Sequence, residues 1–224
     1  MFFQDPIGIL ESAGAVHRNS HFVYASLRHG EDYINLDPIF TYPKSVAALL
    51  EPILVPPDTS PWEAAYDVVA APATGGTYLV GAVGQILATR KGGYRTVRTV
   101  WADKISKRRF AFERAGFAEA VEGRRVLVVE DILTTGNSVA KVCRLIEKHG
   151  GDVVAVAGIV NRGGVTAEDL QVPELRFGAA VDFPSWEADE CPHCASRRPI
   201  VANLGHADVF LADNPEWQEN VIHV

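Results

Sequence analysis

Two adjacent acids, Glu130 and Asp131, follow a short apolar segment and precede a polar turn at residues 134–138. The turn supplies hydroxyl groups, the glycine Gly136 and the start of a following helix, whose free N–H groups are suited to binding phosphate. Carboxylates beside such a turn would repel a phosphate, but they accept hydrogen bonds from the vicinal hydroxyls of a sugar. The combination predicts a site for a ribose that carries a 5′-phosphate.

A simpler interpretation is that Asn137 or Ser138 caps a helix and that the two acids are solvated residues at the end of a strand. That interpretation accounts for single residues but not for two acids, two threonines and a glycine together. The sequence contains neither a GxGxxG dinucleotide motif nor a GxxxxGK[ST] phosphate-binding loop. We therefore favour the ribose-phosphate site.

The segments around this site predict an α/β fold. Strands are expected at residues 66–73, 96–101, 124–130 and 152–160, and helices at 78–88 and 138–149. A charged connection at 102–117 joins the second strand to the third. The second helix carries its apolar residues on one face, namely Val139, Val142, Cys143 and Ile146. Apolar strands separated by helices form a parallel sheet, and ligands bind at the carboxyl ends of its strands. Glu130 and Asp131 are therefore expected in the site rather than in the core.

One main domain is expected for a chain of 224 residues. Within it we predict a small N-terminal lobe at about residues 1–60, a core at about 61–178 and a C-terminal appendage at about 179–224, to which the pattern assigns no structure. The N-terminal lobe should contain a short helix over residues 4–15 and two extended segments around a polar turn at 27–32.

Composition excludes some classes of partner. A net charge of −7 gives no basic face for nucleic acid. The longest apolar run, residues 153–160, is too short to cross a membrane, and the N-terminus lacks the pattern of a signal peptide. Only three cysteines occur, which fits a reducing compartment. We expect a cytoplasmic protein with no nucleic-acid or membrane partner.

Several motifs, in order along most of the chain, resemble those of type I phosphoribosyltransferases. VVEDILTTGNS resembles the signature of that family for phosphoribosyl diphosphate (PRPP). The motifs most like those of orotate phosphoribosyltransferases are HFVYASLRHGEDYINL, VVAAPATGGTYL, GRRVLVVEDILTTGNSV, VAGIVNRGG and DECPHCASRRPI. The resemblance implies the type I phosphoribosyltransferase fold, a parallel sheet flanked by helices, with a small hood lobe formed by the N-terminal and C-terminal segments.

The resemblance also implies how PRPP binds. Glu130 and Asp131 would bind the ribose hydroxyls, and Asp131 would also favour the positive charge that develops on the ribose. The residues implied for the 5′-phosphate are Thr134, Thr135, Gly136, Asn137 and Ser138. Those implied for pyrophosphate are Thr74, Gly75 and Gly76, although a glycine pair is more often only a tight turn, and some relatives carry a lysine in place of Gly75. Mg²⁺ would accompany the reaction, held mainly by PRPP itself, so no protein ligands for a metal are predicted.

The charged connection resembles a loop that closes over the active site of a partner subunit. Lys104 and Lys107 match its lysines and would be catalytic, and Arg109 would bind PRPP. Asp103 and Arg109 replace an arginine and a histidine that many members carry. A solvated charged hairpin is the alternative interpretation of this segment. The resemblance implies a homodimer.

For the nucleobase, Arg162 matches an arginine that contacts orotate, and its planar guanidinium suits a carbonyl or carboxylate edge. The alternative is a surface arginine paired with a nearby acid. Thr134 would also contact the base, and Tyr33 with Ile34 would cover its face. Leu27 stands where a glycine is usual. Orotate is the expected base. The alternatives are a transferase for another base and a PRPP-sensing regulator without catalysis. The lack of a basic DNA-binding module speaks against the regulator.

The cysteines divide into two cases. Cys143 is predicted to be a core residue. Cys191 and Cys194 have a spacing typical of metal sites, with His193 between them, but a structural zinc needs four ligands and no second CxxC is present. His206 and His223 could complete such a site, yet we do not predict one.

Overall fold

The computed structural model describes residues 5–54, 66–89, 96–106 and 109–224. The proline-rich stretch at 55–62, which separates the N-terminal lobe from the core in the sequence, lies outside the described residues. The α-helices are α1 (Pro6–Ser12), α2 (Pro43–Leu54), α3 (Gly75–Thr89), α4 (Phe117–Val121), α5 (Asn137–Lys148), α6 (Ala167–Leu170), α7 (Pro192–Ala195) and α8 (Ala207–Asp213). Short 3-10 helices cover Asp37–Thr41 and Pro215–Trp217.

The strands are β1 (Val16–His17), β2 (Phe22–Val23), β3 (His29–Gly30), β4 (Tyr33–Ile34), β5 (Val68–Pro72), β6 (Arg98–Ser106), β7 (Arg109–Ala111), β8 (Arg125–Leu133), β9 (Asp152–Asn161), β10 (Leu175–Ala180), β11 (Ser185–Trp186), β12 (Ile200–Val201) and β13 (Val221–Ile222). Nowhere in these described ranges is there a helix with the length and apolar character needed to span a bilayer.

The central sheet has the strand order β10-β9-β8-β5-β6-β7. Its pairs are parallel except for the edge strand β7, which runs antiparallel to β6. Strands β5, β8 and β9 lie side by side, with Val68 opposite Val126 and Glu130 opposite Gly158. The predicted α/β fold with a parallel sheet is confirmed.

Helix α5 covers the sheet with the face that the sequence predicts. Its buried residues are Val139, Val142, Cys143 and Ile146. Cys143 is therefore a core residue, and burial raises the pKa of its thiol to about 12. Helix α3 begins at Gly75, earlier than the predicted residue 78. Its first turn packs closely on β5, since a Cβ atom at Gly76 would lie 2.5 Å from Cβ of Ala71.

The strands extend further than their apolar patterns indicate. Strand β8 continues through Glu130 and Asp131 to Leu133 because its pairing with β9 persists to the end of both strands. Strand β6 likewise continues to Ser106 and pairs with β7. The first part of the predicted charged connection therefore belongs to a β-hairpin of β6 and β7, and α4 begins only at its last residue, Phe117.

The chain forms two compact units. The first unit comprises Phe40–Val181 with the described residues before Ile7, and it contains the central sheet. The second unit comprises Ile7–Ile39 and Asp182–Val224. Here β11, β3 and β2 form one sheet, while β1 pairs with β4 and β12 with β13. The buried aromatic residues Phe22, Phe210 and Trp217 belong to this unit.

Leu27 lies in the turn between β2 and β3. The sequence predicts a polar turn over the whole of residues 27–32, whereas the structure places β3 (His29–Gly30) within that range. The N–H of Leu27 donates to the carbonyl of Tyr24 at 2.9 Å, and the N–H of Tyr24 donates to the carbonyl of Arg28 at 2.8 Å. Leu27 has a φ of +64°. A residue with left-handed backbone after a tight turn is normally glycine. Leu27 adopts this conformation nevertheless, so the turn has the same shape that a glycine would give it.

We predict that Leu27→Gly yields a protein about 1 kcal/mol more stable than Leu27→Ala, because a left-handed backbone costs an L-residue about 1–2 kcal/mol. The two variants differ only in the Cβ atom, and the Leu27 side chain is 42 % exposed, so little burial is lost in either. Urea unfolding of both variants measures the difference. An alanine variant as stable as the glycine variant would contradict the left-handed turn, because glycine is otherwise the less favourable residue.

Candidate functional site

The ribose-phosphate segment forms a small pocket at the carboxyl end of β8. The pocket has a volume of about 50 Å³, and its lining residues are Glu130, Ile132, Leu133, Thr134, Thr135, Gly136, Asn137, Ser138 and Val139. Helix α5 begins here at Asn137, so its first N–H groups have no partner within the helix. The structure thus brings Glu130 together with the whole predicted phosphate turn.

Two constraints require a glycine at position 136. Its φ is +68°, and a Cβ atom there would lie 2.7 Å from Cδ2 of Leu170 and 3.0 Å from Cγ1 of Val165. The turn is therefore seated on the segment that follows β9. Thr134, Thr135, Asn137 and Ser138 remain exposed, which leaves their hydroxyl and amide groups accessible to a ligand.

The second predicted anion-binding turn, at Thr74, Gly75 and Gly76, joins β5 to α3 and lies against Asp131. A Cβ atom at Gly75 would collide with Oδ2 of Asp131. The peptide bond between Ala73 and Thr74 is cis. The turn after β5 and the acid near the end of β8 therefore share one edge of the sheet.

The two carboxylates have distinct environments. Oδ1 of Asp131 accepts a hydrogen bond from the N–H of Ile132 at 2.7 Å, and Oε1 of Glu130 accepts one from the N–H of Asp131 at 3.2 Å. Burial, followed by the negative charge of Asp131, raises the pKa of Glu130 well above its ordinary value of 4.5. A ligand that brings hydroxyl donors or a cation to this pair would relieve that cost.

Arg162 is anchored to the same edge. Its N–H and that of Gly163 both donate to the carbonyl of Leu133, at 2.8 and 3.2 Å. A Cβ atom at Gly163 would overlap the carbonyl oxygen of Thr134. The structure therefore places the loop that carries Arg162 directly on Thr134, the other residue of this unit that was predicted to contact the base.

Asn161 is a positioning residue that the sequence prediction missed. Its buried side chain donates from Nδ2 to the carbonyl of Val165 at 2.8 Å and accepts at Oδ1 from the N–H of Val165 at 3.0 Å. Both bonds close the loop around Arg162 into a fixed shape. The available signal was a polar residue at the end of an otherwise apolar strand.

Lys104 and Arg109 are exposed residues of the β6–β7 hairpin, and neither lines the pocket at Glu130. Lys107 lies outside the described residues. Asp103, which replaces an arginine common in the family, has Oδ2 at 3.9 Å from Nε of Arg114. Arg114 in turn lies 5.8 Å from the centre of the Trp101 ring.

Tyr33 and Ile34 belong to the second unit. The Tyr33 ring stacks on Phe22 with a centroid distance of 5.3 Å. Ile34 is only 2 % exposed, so its side chain fills the interior, whereas Tyr33 keeps part of its surface accessible. Of this pair, Tyr33 is better suited to contact a ligand.

Comparison with known proteins identifies the family. A sequence model described as the phosphoribosyl transferase domain matches residues 62–186. An orotate phosphoribosyltransferase of Caldicellulosiruptor bescii is 32% identical over 199 residues, which cover 89% of this chain and 92% of the relative. The chain belongs to the phosphoribosyltransferase family.

Solved structures confirm the phosphoribosyltransferase fold. The orotate phosphoribosyltransferase of Aeropyrum pernix superposes with a TM-score of 0.61 at 24% identity, covering 78% of this chain and 92% of that one. The orotate phosphoribosyltransferase of Mycobacterium tuberculosis, in complex with inorganic phosphate, gives a TM-score of 0.55 at 22% identity, with coverages of 79% and 95%. The predicted type I architecture is therefore correct.

The contact between Gly163 and Thr134 leads to a prediction on stability. Gly163→Ala should lower the free energy of unfolding by about 3 kcal/mol, because the new Cβ must displace backbone. Gly164→Ala is the matched control: it meets nothing within 4 Å but has a φ of +64°, so its cost should be about 1–2 kcal/mol. Urea unfolding compares the two, and equal losses would mean that the loop does not rest on Thr134.

The environment of Glu130 leads to a prediction on pH. A carboxyl whose pKa is raised by folding binds more protons in the folded state, so its contribution to stability falls as pH rises above 4.5 towards the folded pKa. Glu130→Gln removes this loss. The difference in melting temperature between Glu130→Gln and the wild type should therefore increase from pH 5 to pH 8.

Glu113→Gln serves as the control for that measurement, because Glu113 is an exposed residue of the loop after β7. It should melt in parallel with the wild type over the same pH range. A constant difference for Glu130→Gln would show that the Glu130 carboxyl is not desolvated in the folded protein.

Proposed function

We propose that this enzyme is an orotate phosphoribosyltransferase, which converts orotate and PRPP into orotidine 5′-phosphate and pyrophosphate in the de novo synthesis of UMP. The observation that carries the proposal is the packing of the Arg162 loop on Thr134, beside the phosphate turn. This arrangement offers a cationic fork for a nucleobase next to groups that suit a ribose phosphate. The relative from Caldicellulosiruptor bescii bears the same enzyme name.

PRPP would bind along the edge of the sheet. The 5′-phosphate would accept hydrogen bonds from the N-terminal N–H groups of α5 and from the hydroxyls of Thr134, Thr135 and Ser138. Its ribose hydroxyls would donate to Glu130 and Asp131. The desolvation of Glu130 supports this role, because hydroxyl donors from a ligand would stabilise its carboxylate in addition to the N–H of Asp131.

The pyrophosphate end of PRPP would face the turn at Thr74, Gly75 and Gly76. In the proposal Gly75 takes the place of a lysine found in some relatives, and its contact with Asp131 leaves no room for a longer residue unless that carboxylate moves. Backbone N–H groups at the start of α3 would then bind the oxyanions.

Mg²⁺ fits the chemistry of this edge, because carboxylate and phosphate oxygens are the ligands it prefers. PRPP would hold the ion, with the Asp131 carboxylate nearest to the pyrophosphate turn. When bound, it supplies positive charge that stabilises the leaving pyrophosphate. The residues of the chain have a separate role, which is to orient PRPP.

The reaction passes through a state with oxocarbenium character, so electrostatic stabilisation matters more than a strong nucleophile. Asp131 would stabilise the positive charge on the ribose. Lys104, Lys107 and Arg109 would stabilise the departing pyrophosphate, with the hairpin acting on the site of a partner subunit in a homodimer. The exposure of Lys104 and Arg109 supports a role in which they are available to another surface.

The base would be selected by Arg162. Orotate carries a carboxylate and two carbonyls, which match a guanidinium that donates in one plane. Its loop is fixed by Asn161 and by the carbonyl of Leu133, so the guanidinium starts from a defined backbone position. Tyr33 would cover the face of the base.

The first experiment measures the loss of orotate absorbance when PRPP and Mg²⁺ are added to the enzyme, with a parallel panel of uracil, adenine, guanine and hypoxanthine. We expect consumption of orotate that depends on PRPP. Preferential consumption of another base would replace orotate in the proposal. PRPP binding without turnover of any base would instead indicate a PRPP-sensing protein.

A variant tests the basis of specificity. Arg162→Gln should raise the KM for orotate tenfold or more, since a hydrogen bond to a charged group contributes about 1.5–3 kcal/mol, and should leave the KM for PRPP nearly unchanged. Arg144→Gln is the control, because Arg144 is exposed on α5. An equal increase in both KM values would mean that Arg162 supports the fold of the site and does not contact the base.

A further inference from the structure

The second unit brings together four metal-ligating side chains that the phosphoribosyl transfer does not use. They are His21, His29, Cys191 and Cys194, whose ligating atoms all lie within 4.8 Å of one another. His21 and His29 come from the N-terminal segment around β2 and β3. The cysteines come from the C-terminal segment, where Cys191 precedes α7 and Cys194 lies within it. His21 and Cys194 are separated by 173 positions in the sequence.

The distances within this cluster suit tetrahedral coordination. Nε2 of His21 lies 2.8 Å from Nδ1 of His29, 3.8 Å from Sγ of Cys191 and 3.7 Å from Sγ of Cys194. Sγ of Cys194 lies 3.3 Å from Nδ1 of His29. With zinc bonds of about 2.3 Å to sulfur and about 2.0–2.1 Å to nitrogen, the edges of a tetrahedron are roughly 3.3–3.8 Å long. Small adjustments would place all four atoms around one ion.

We propose that His21, His29, Cys191 and Cys194 bind one structural Zn²⁺ ion. Two sulfur and two nitrogen ligands in a tetrahedral arrangement favour zinc among the common divalent ions. With four protein ligands the site is closed, so the ion is structural and not catalytic. His206 and His223, which the sequence offered as completing ligands, are not among these four.

The surroundings of His21 support the assignment. Its Nδ1 lies 2.9 Å from the carbonyl oxygen of Arg198, to which an N–H at that position donates. This bond directs the lone pair of Nε2 towards the cluster, the arrangement that metal-bound histidines usually show.

His193 lies between the two cysteines in sequence but has another partner. Its Nε2 is 3.7 Å from Oε2 of Glu31, and its ring packs at 5.7 Å from that of Trp186. His21, His29 and Cys191 are buried, and the His29 ring packs edge-on against Phe210 at 4.6 Å. The ion would be shielded from water and would connect the two ends of the chain within the second unit.

The test begins with elemental analysis of the full-length enzyme, purified without a polyhistidine tag and without chelators. We expect about one zinc per chain in the wild type. The double variant Cys191→Ser/Cys194→Ser should hold less than about one tenth of that amount. Cys143→Ser is the matched control, because Cys143 is buried in the first unit, and it should keep the full zinc content. Equal zinc in all three proteins would overturn the assignment of the ligands.

A second measurement uses the wild type alone and so does not depend on the folding of a variant. Chelation should lower the melting temperature by several degrees, and zinc should restore it. Replacement by Co²⁺ should give thiolate-to-cobalt charge transfer and the visible bands of a tetrahedral ion. A wild type that takes up neither zinc nor cobalt, or whose Cys191 and Cys194 form a disulfide as purified, would overturn the proposal.

Discussion

The close approach of the Asp131 carboxylate to the backbone of Gly75 is the contact on which the candidate ligand-binding edge of the sheet depends. It fixes the turn after β5 against the end of β8, and the N–H of Ile132 holds the carboxylate in place. The same placement puts a negative charge next to Glu130, whose pKa it raises together with burial. The edge is therefore already arranged to receive hydroxyl donors or a cation.

A second close approach extends this edge to β9. The carbonyl of Leu133 receives two N–H groups from the Arg162 loop, and Asn161 closes that loop from inside. Because the loop rests on the backbone of Thr134, and side chains of Val165 and Leu170 pack on Gly136, the loop is held against the predicted phosphate turn. A site on rigid strand ends holds its groups more closely in position than one on free loops.

The sequence predicts those parts of the fold that local periodicity specifies. The apolar face of α5 and the buried strands β5, β8 and β9 follow from patterns within a single segment. The extension of β8 past Glu130 does not, since pairing with β9 overrides the polar residues. The C-terminal segment of the second unit was unassigned for a related reason: its strands are two residues long and pair with distant parts of the chain, as β11 does with β3. The cluster proposed to bind zinc was not predicted from the sequence, because His21 and His29 meet Cys191 and Cys194 only in the folded chain.

The residues that depart from the family pattern have local physical explanations. Leu27 adopts the left-handed backbone that a glycine would provide, Gly75 fits against Asp131, and Asp103 lies beside Arg114. In the proposed site a change of base would have to alter the groups that face the base, whereas these departures lie in a turn, beside Asp131 and in a hairpin. We infer that they do not argue against orotate, and that the specificity of the enzyme depends on the loop between β9 and α6.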